Sequence, residues 1–554
     1  MKAFLSALLL GGLGCCLMPE SYADPVVHKR IIVKDGKAVD AFADWDIEDG
    51  VLTGEGKSNE LLAGHTIGRG DFHIVARLHL LKQKKSAATF FLDGSHFGFE
   101  GASETIFVNG DVFGGLKLLQ KSTEVFERES WIDFEVIRKS GDLMFLINGR
   151  KIISEGDGDR EYAKFGFRPW RAKLQVERFS IVGNANPAPK PVEPKAVEFA
   201  VPLIDLDQEL HRQVVVDREK GQYLGHPTTC LLEDEKTILC VYPKGHGRGP
   251  IVYKRSSDGG LTWSERLPTP ASWATSKEVP TLHRVIDGMG KKRIIMWSGL
   301  YPARLAVTED DGANWSELKK VGDWGGIVVM GCLEKLNTGG GHYLAMFHDD
   351  GRFFTEQGRR ENPVRFKLFK TFSKDGGLTW SFPEVVYEST EVHLCEPGIV
   401  RSPDGKQLAV LLRENRRVKN SHVIFSNDDG RTWTEPRELP NELTGDRHTG
   451  KYLPDGRLFI TFRDRTPRSW ISPTAGDWAG WIGRYEDLVS GKAGQYRLRL
   501  KDNHKGADCT YPGVERLPDG TIVTTTYGHW AKGEQPYILS VRFKGEELDA
   551  KVEK

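Results

Sequence analysis

Two patterns of apolar and polar positions divide the chain. From residue 25 to about 183, short runs such as "FHIVARLHL", "WIDFEVIRK" and "LMFLINGRKI" alternate apolar with polar, and Gly, Asp and Asn separate them. A period of two predicts strands with one buried face, and no stretch there reads as a helix. Strands at that spacing predict a two-sheet β-sandwich of jelly-roll type. From residue 200 to 545 the order changes: a polar cluster, an apolar strand, a "DG" or "GG" turn, a second strand, another polar cluster and a third strand. "CEPGIVRSPDGKQLAVLLREN" followed by "SHVIFSNDDGRTW" is one such unit. Between the two patterns, residues 184–199 repeat proline among small and charged residues, which predicts a stiff spacer.

The second pattern repeats a turn. "SSDGGLTW" begins at Ser256, "TEDDGANW" at Thr308, "SKDGGLTW" at Ser373 and "SNDDGRTW" at Ser426, at intervals of 52, 65 and 53 residues. That interval suits one four-stranded propeller blade. The Asp and Ser or Thr are expected to bind local amides, Gly to take positive φ, and Trp to wedge between sheets. "GDRHTGKYLPDGRLFITFRDR" and "DCTYPGVERLPDGTIVTTTYGHW" continue the grammar without the turn, so six blades are expected. A closing strand is expected from "FAVPLIDLDQEL". The fold class is therefore all-β, a sandwich followed by a six-bladed propeller.

Composition narrows the function. Hydrophobic residues make up 39% and charged residues 28%, with 77 basic against 77 acidic side chains. This balance argues against nucleic acid or an anionic membrane as the partner. Met1-Lys2, a short apolar run and small residues at Ser21 and Ala23 read as a signal peptide over residues 1–23, hence a secreted or periplasmic protein, with acylation at Cys15 or Cys16 the weaker alternative. No segment has the length of a transmembrane helix. The other cysteines, Cys230, Cys240, Cys332, Cys395 and Cys509, lie in apolar runs and fit neither a disulfide framework nor a zinc site. No metal or cofactor is expected.

Propeller geometry brings the starts of first strands and the ends of second strands to one face. His226, His246, Arg248, Glu278, Asp349, Asp350, Glu396, Arg413, Asp446, Arg447, Arg463, Arg465, Asp508 and Tyr511 all fall at such points. The arginine excess suits a planar anion.

The repeated turn is the Asp-box, and the C-terminal domain resembles the sialidase (neuraminidase) superfamily. That resemblance implies an exo-α-sialidase acting with retention on sialylated glycans or glycoproteins. It implies Tyr511 in "DCTYPG" as nucleophile, Glu396 in "CEPGIV" as its base and Arg413 in "LLREN" as a carboxylate clamp. Arg463 in "FRDR" is the second clamp, with Arg465 or Arg447 as substitutes. Two positions depart from the family pattern. His226 stands where the first arginine of the triad is expected, and Arg248 is the candidate replacement. The usual acid has no counterpart in "PKGHGRG", which leaves Asp349 or Asp350 first and His246 second. These departures keep open a glycosidase or lyase for another acidic sugar, and a non-catalytic lectin. The N-terminal region resembles the concanavalin-like modules of bacterial glycan-active enzymes, as a carbohydrate binder or a structural support.

Overall fold

Both kinds of apolar run pair into sheets. The computed structural model describes residues 41–42, 46–48, 51–55, 60–81, 87–187, 195–322, 328–354 and 363–552. The expected signal peptide lies outside these residues, as do residues 188–194 of the spacer. The chain divides into two compact units, Met1–Pro191 and Val192–Lys554.

The first unit holds two seven-stranded sheets. Strict alternation makes each sheet two-faced: in Trp131–Lys139 every second side chain is buried. Phe90, Phe97, Phe134, Phe145 and Phe167 fill the core, with the rings of Phe97 and Phe145 stacked at 4.9 Å. Asn148 and Gly149 of "INGRKI" take φ of 49° and 74°, the two-residue turn that joins Asp142–Ile147 to Arg150–Gly156.

The second unit is built, among the described residues, from six sheets, antiparallel except for one edge strand of the fifth, and one two-stranded parallel pair. The first strands of the six sheets are Thr228–Leu231, Pro280–Ile286, Met330–Lys335, Leu394–Arg401, Asp446–Tyr452 and Gly513–Arg516. Each contacts the next, and the last contacts the first. A cavity of about 400 Å³ is lined by residues of all six, so the first strands surround a common axis. They approach so closely that a Cβ on Gly398 would lie 2.0 Å from the His448 carbonyl oxygen. The fold is all-β, with short helices at Tyr485–Ser490 and Gly545–Val552.

The repeated turns join the sheets. In the third copy Gly377 N–H donates to Ser373 Oγ at 2.8 Å, Thr379 N–H to Asp375 Oδ1 at 3.0 Å and the Thr379 hydroxyl to Asp375 Oδ2 at 2.6 Å. Trp380 then packs its ring 5.3 Å from Trp297 of the preceding sheet. The first copy leans on the sixth sheet, where a Cβ on Gly259 would meet Leu517 at 2.8 Å.

Ring closure differs from the expectation. Within "FAVPLIDLDQEL", Leu203–Asp205 adds in parallel to Tyr496–Lys501 of the fifth sheet. The sixth sheet is completed by the residues that follow, Gln213–Asp217, antiparallel to Tyr537–Phe543. Valines at 214, 215 and 216 give that segment the stronger strand preference, and Val216 is buried against Leu224 and Tyr242.

Candidate active site

Backbone irregularities aim the side chains that meet at one end of the ring. The pairing of Leu394–Arg401 with Leu408–Glu414 shifts register between Cys395 and Gly398. A similar shift falls between Asp446 and Thr449. Such bulges redirect side chains where a strand begins. His226, Glu396, Arg447 and Thr510 take φ between 51° and 60°, a region non-glycine residues rarely occupy, and all lie at these strand starts.

Glu396 is the hub of one cluster. The Tyr511 hydroxyl donates to its Oε1, and Arg413 Nη1 donates to the same oxygen at 2.8 Å. Glu396 is 4% exposed, and its Oε2 is buried with no partner among the described residues. Burial alone would raise the Glu396 pKa, but the Arg413 guanidinium holds it below the ordinary carboxylate value. Tyr511 moves the other way: burial, then the Glu396 charge, push its pKa well above that of a free tyrosine. At neutral pH the pair is a carboxylate facing a protonated phenol.

Asp446, fully buried, organises the arginines. Arg463 donates to its Oδ2 through Nε at 2.9 Å and Nη2 at 2.7 Å, Arg417 Nη1 lies 2.6 Å from Oδ1, and Arg413 Nε lies 3.5 Å away. Arg463 Nη1 is also bonded to the carbonyls of Ala507 and Cys509, at 2.9 and 3.2 Å. Of its five N–H groups, four are thus engaged. Arg413 is freer, since Nη1 and Nη2 each make one bond, to Glu396 and Asn415.

His226 packs directly on the phenol, with ring centroids 4.4 Å apart. Its Nδ1 accepts the Gly247 N–H at 3.0 Å, which leaves Nε2 to donate to the Tyr527 hydroxyl at 3.2 Å. Burial, then His246 and Arg463, hold His226 neutral. Beside it, Asp508 bonds Tyr223 at 2.7 Å, and His246 and His529 at 3.3 and 3.2 Å. Burial opposes its ionisation, but those bonds keep it far below the ordinary carboxylate pKa.

The expected acids are each held by other bonds. Asp349 is fully buried and its carboxylate accepts the backbone N–H groups of Arg352, Phe353 and Phe354 at 3.0–3.2 Å. It caps its own turn. Asp350 is paired with Arg352 Nε at 2.6 Å. His246 is exposed and bonded to Tyr223. Arg248 is exposed, with no hydrogen bond to its guanidinium among the described residues, and does not join the cluster. Arg465 is exposed but near enough to feel the charges of Arg417 and Asp446. Arg447 lies against the Tyr511 ring at 5.4 Å and lines the axial cavity.

Glu278, a ring position that the sequence placed without a role, has the environment of an acid. Its Oε1 accepts the Val279 N–H at 3.0 Å, and a Cβ on Gly247 would lie 2.7 Å from that oxygen. Gly247 in turn bonds His226, so the carboxyl borders the residues packed on Tyr511. Burial, against the Val279 bond and Arg352, pushes its pKa up to about 7. Arg417 and Tyr223 were not singled out by sequence. Their only signals are spacing, four residues after Arg413 and three before His226. Among the described residues no cluster of His, Cys, Asp and Glu could hold a metal ion.

Residues 287–522 match a family model described as a BNR repeat-like domain, and three of the four repeated turns fall inside it. No curated protein matches the sequence. Among solved structures the chain is similar to a protein of unknown function from Dyadobacter fermentans, at 17% identity over 60% of this chain and 97% of that one, with a TM-score of 0.47. It is similar to the intramolecular trans-sialidase from Ruminococcus gnavus, in complex with oseltamivir carboxylate, at 15% identity over 59% and 95%, with a TM-score of 0.42. It is also similar to the NanB sialidase from Streptococcus pneumoniae, at 12% identity over 87% and 96%, with a TM-score of 0.28.

Proposed function

We propose that the second unit is a retaining exo-α-sialidase. The observation that carries this reading is the Tyr511–Glu396–Arg413 cluster, in which a neutral phenol donates to a buried carboxylate that an arginine keeps ionised. A sugar whose anomeric carbon bears a carboxylate repels an anionic nucleophile, and a neutral tyrosine with an adjacent base avoids that repulsion.

In the first step Tyr511 Oη bonds to the anomeric carbon while its proton passes to Glu396. The bond to the leaving oxygen breaks, and that oxygen takes the proton of Glu278. In the second step the Glu278 carboxylate deprotonates a water that attacks the same carbon. Tyr511 leaves and recovers its proton from Glu396. Arg413, with an N–H free on each terminal nitrogen, faces the substrate carboxylate, and Arg463 holds Asp446 so that Arg413 keeps its place.

One observation favours a second acidic sugar. With His226 neutral and Arg463 largely engaged, a single arginine remains for the carboxylate, which suits a uronyl residue whose carboxylate is remote from the anomeric carbon. Release of the aryl group from an aryl α-sialoside, but not from aryl uronides, supports the sialidase. The reverse result replaces it with the uronide enzyme. Binding of both without turnover leaves a lectin.

A further inference from the structure

His226 stands where a clamp arginine is expected, yet both of its ring nitrogens are spent on the protein. A backbone N–H can only donate, so the Gly247 bond at 3.0 Å makes Nδ1 the lone pair and puts the proton on Nε2. That N–H needs an acceptor, and the Tyr527 hydroxyl oxygen supplies it at 3.2 Å. The Tyr527 proton must then go elsewhere, and Asp508 Oδ1 accepts it at 3.3 Å. Asp508 is fixed in turn by the Tyr223 hydroxyl at 2.7 Å and by His529 Nε2 at 3.2 Å. Every link runs one way, from His226 to an ionised carboxylate that can only accept.

The other side of this chain is the phenol. The His226 ring lies 4.4 Å from that of Tyr511, tilted by 59°, and 4.4 Å from that of Tyr527, stacked at 29°. Among the described residues no hydrogen bond joins His226 to Tyr511 or Glu396, so the imidazole meets the phenol by packing alone. The Tyr511 hydroxyl keeps Glu396 as its partner. A ring 3% exposed, with both nitrogens engaged, offers a substrate almost no surface. His226 is also held at a φ of 57°, strained for a side chain and kept only where neighbours over-determine it. Gly225, just before it, lies under both tyrosines: a Cβ there would be 2.6 Å from Tyr223 and 3.3 Å from Tyr527.

We infer that His226 is a positioning residue, a ring locked by Tyr527 and Asp508 that keeps the Tyr511 phenol aligned on Glu396 and leaves the substrate carboxylate to Arg413. The role rests on Tyr511 as nucleophile. Tyr527→Phe tests it, because the change deletes the acceptor of the His226 N–H and keeps the stacked ring. Steady-state kinetics of the full chain on the aryl glycoside it turns over, run well below Tm, should show kcat lowered about tenfold with KM within about twofold. A hydrogen bond that served stability alone would lower Tm and leave kcat where it was. A contact between His226 and the substrate would raise KM and spare kcat. Either result overturns the role. Should Tyr527→Phe fail to fold, Asp508→Asn, which keeps the size of the residue and removes its charge, decides by the same split of kcat from KM. A parent chain that turns over neither aryl α-sialosides nor aryl uronides overturns Tyr511 as nucleophile and this role with it. An active parent whose Tyr527→Phe variant keeps its kcat overturns this role alone.

Discussion

Glu396 and Tyr511 meet because a bulge and a positive φ turn a strand-opening glutamate toward the axis, across from a tyrosine 115 residues later. Their protonation states follow from position: Glu396 is kept ionised by Arg413, and the phenol stays neutral through burial and the charge beside it. Tyr511→Phe and Glu396→Gln are each expected to lower kcat by about 10²- to 10⁴-fold with Tm nearly unchanged. Steady-state kinetics on an aryl sialoside, paired with thermal unfolding, checks both. Glu278 adds a pH prediction. As the acid, it must be protonated, so kcat/KM falls as pH rises through about 7; the base must be ionised, so activity falls on the acid side only below the ordinary carboxylate range. Glu278→Gln should abolish the alkaline limb. It should also slow substrates with poor leaving groups far more than nitrophenyl ones, because only the former need the proton. An unchanged alkaline limb in that variant assigns the acid elsewhere.

The four Asp-box turns are the element on which blade register depends, and they act in stability rather than in chemistry. Asp258 and Asp428 have pKa values of about 2: burial works against ionisation, but the hydroxyl and amide bonds of Thr262 and Thr432 prevail. A depressed carboxylate contributes stability above the unfolded value of 3.8, and the contribution is lost as pH falls toward about 2. These aspartates are largely solvent-facing, so screening keeps each contribution small. Asp258→Asn should flatten the fall of Tm between pH 4 and 2 relative to the parent. Asp375→Ala removes the acceptor of two amides and two hydroxyls and should cost about 1–3 kcal/mol with kcat unaffected. Chemical denaturation and turnover measured on the same preparation separate the two effects.

At the scale of the whole molecule, ring closure is the long-range step. Val216, buried in the strand that completes the sixth sheet, has no solvent on either side, so Val216→Asp should destabilise the propeller unit by about 3 kcal/mol or more, read from urea unfolding. The Asp-box spacing made the sheets legible in sequence, and their order placed Glu396, Arg413 and Tyr511 at one end of the ring. What periodicity does not carry is the competition for each polar atom. "HDDG" reads as an acid pair, yet three backbone amides claim Asp349. "FRDR" reads as a clamp, yet Asp446 and two carbonyls claim Arg463. Glu278 was visible only as one charged residue among many at strand starts, because its pKa depends on burial in the fold, which a local pattern does not carry.

The central claim is that Tyr511 forms the covalent intermediate. Incubation with a fluorinated sialosyl fluoride, which forms such an intermediate but releases it slowly, followed by peptide mass spectrometry, tests it most directly. The account predicts one sialosyl adduct, on the peptide containing Tyr511, absent in Tyr511→Phe. An adduct on another residue, or turnover of the parent sialoside with inversion and no adduct at all, would contradict it.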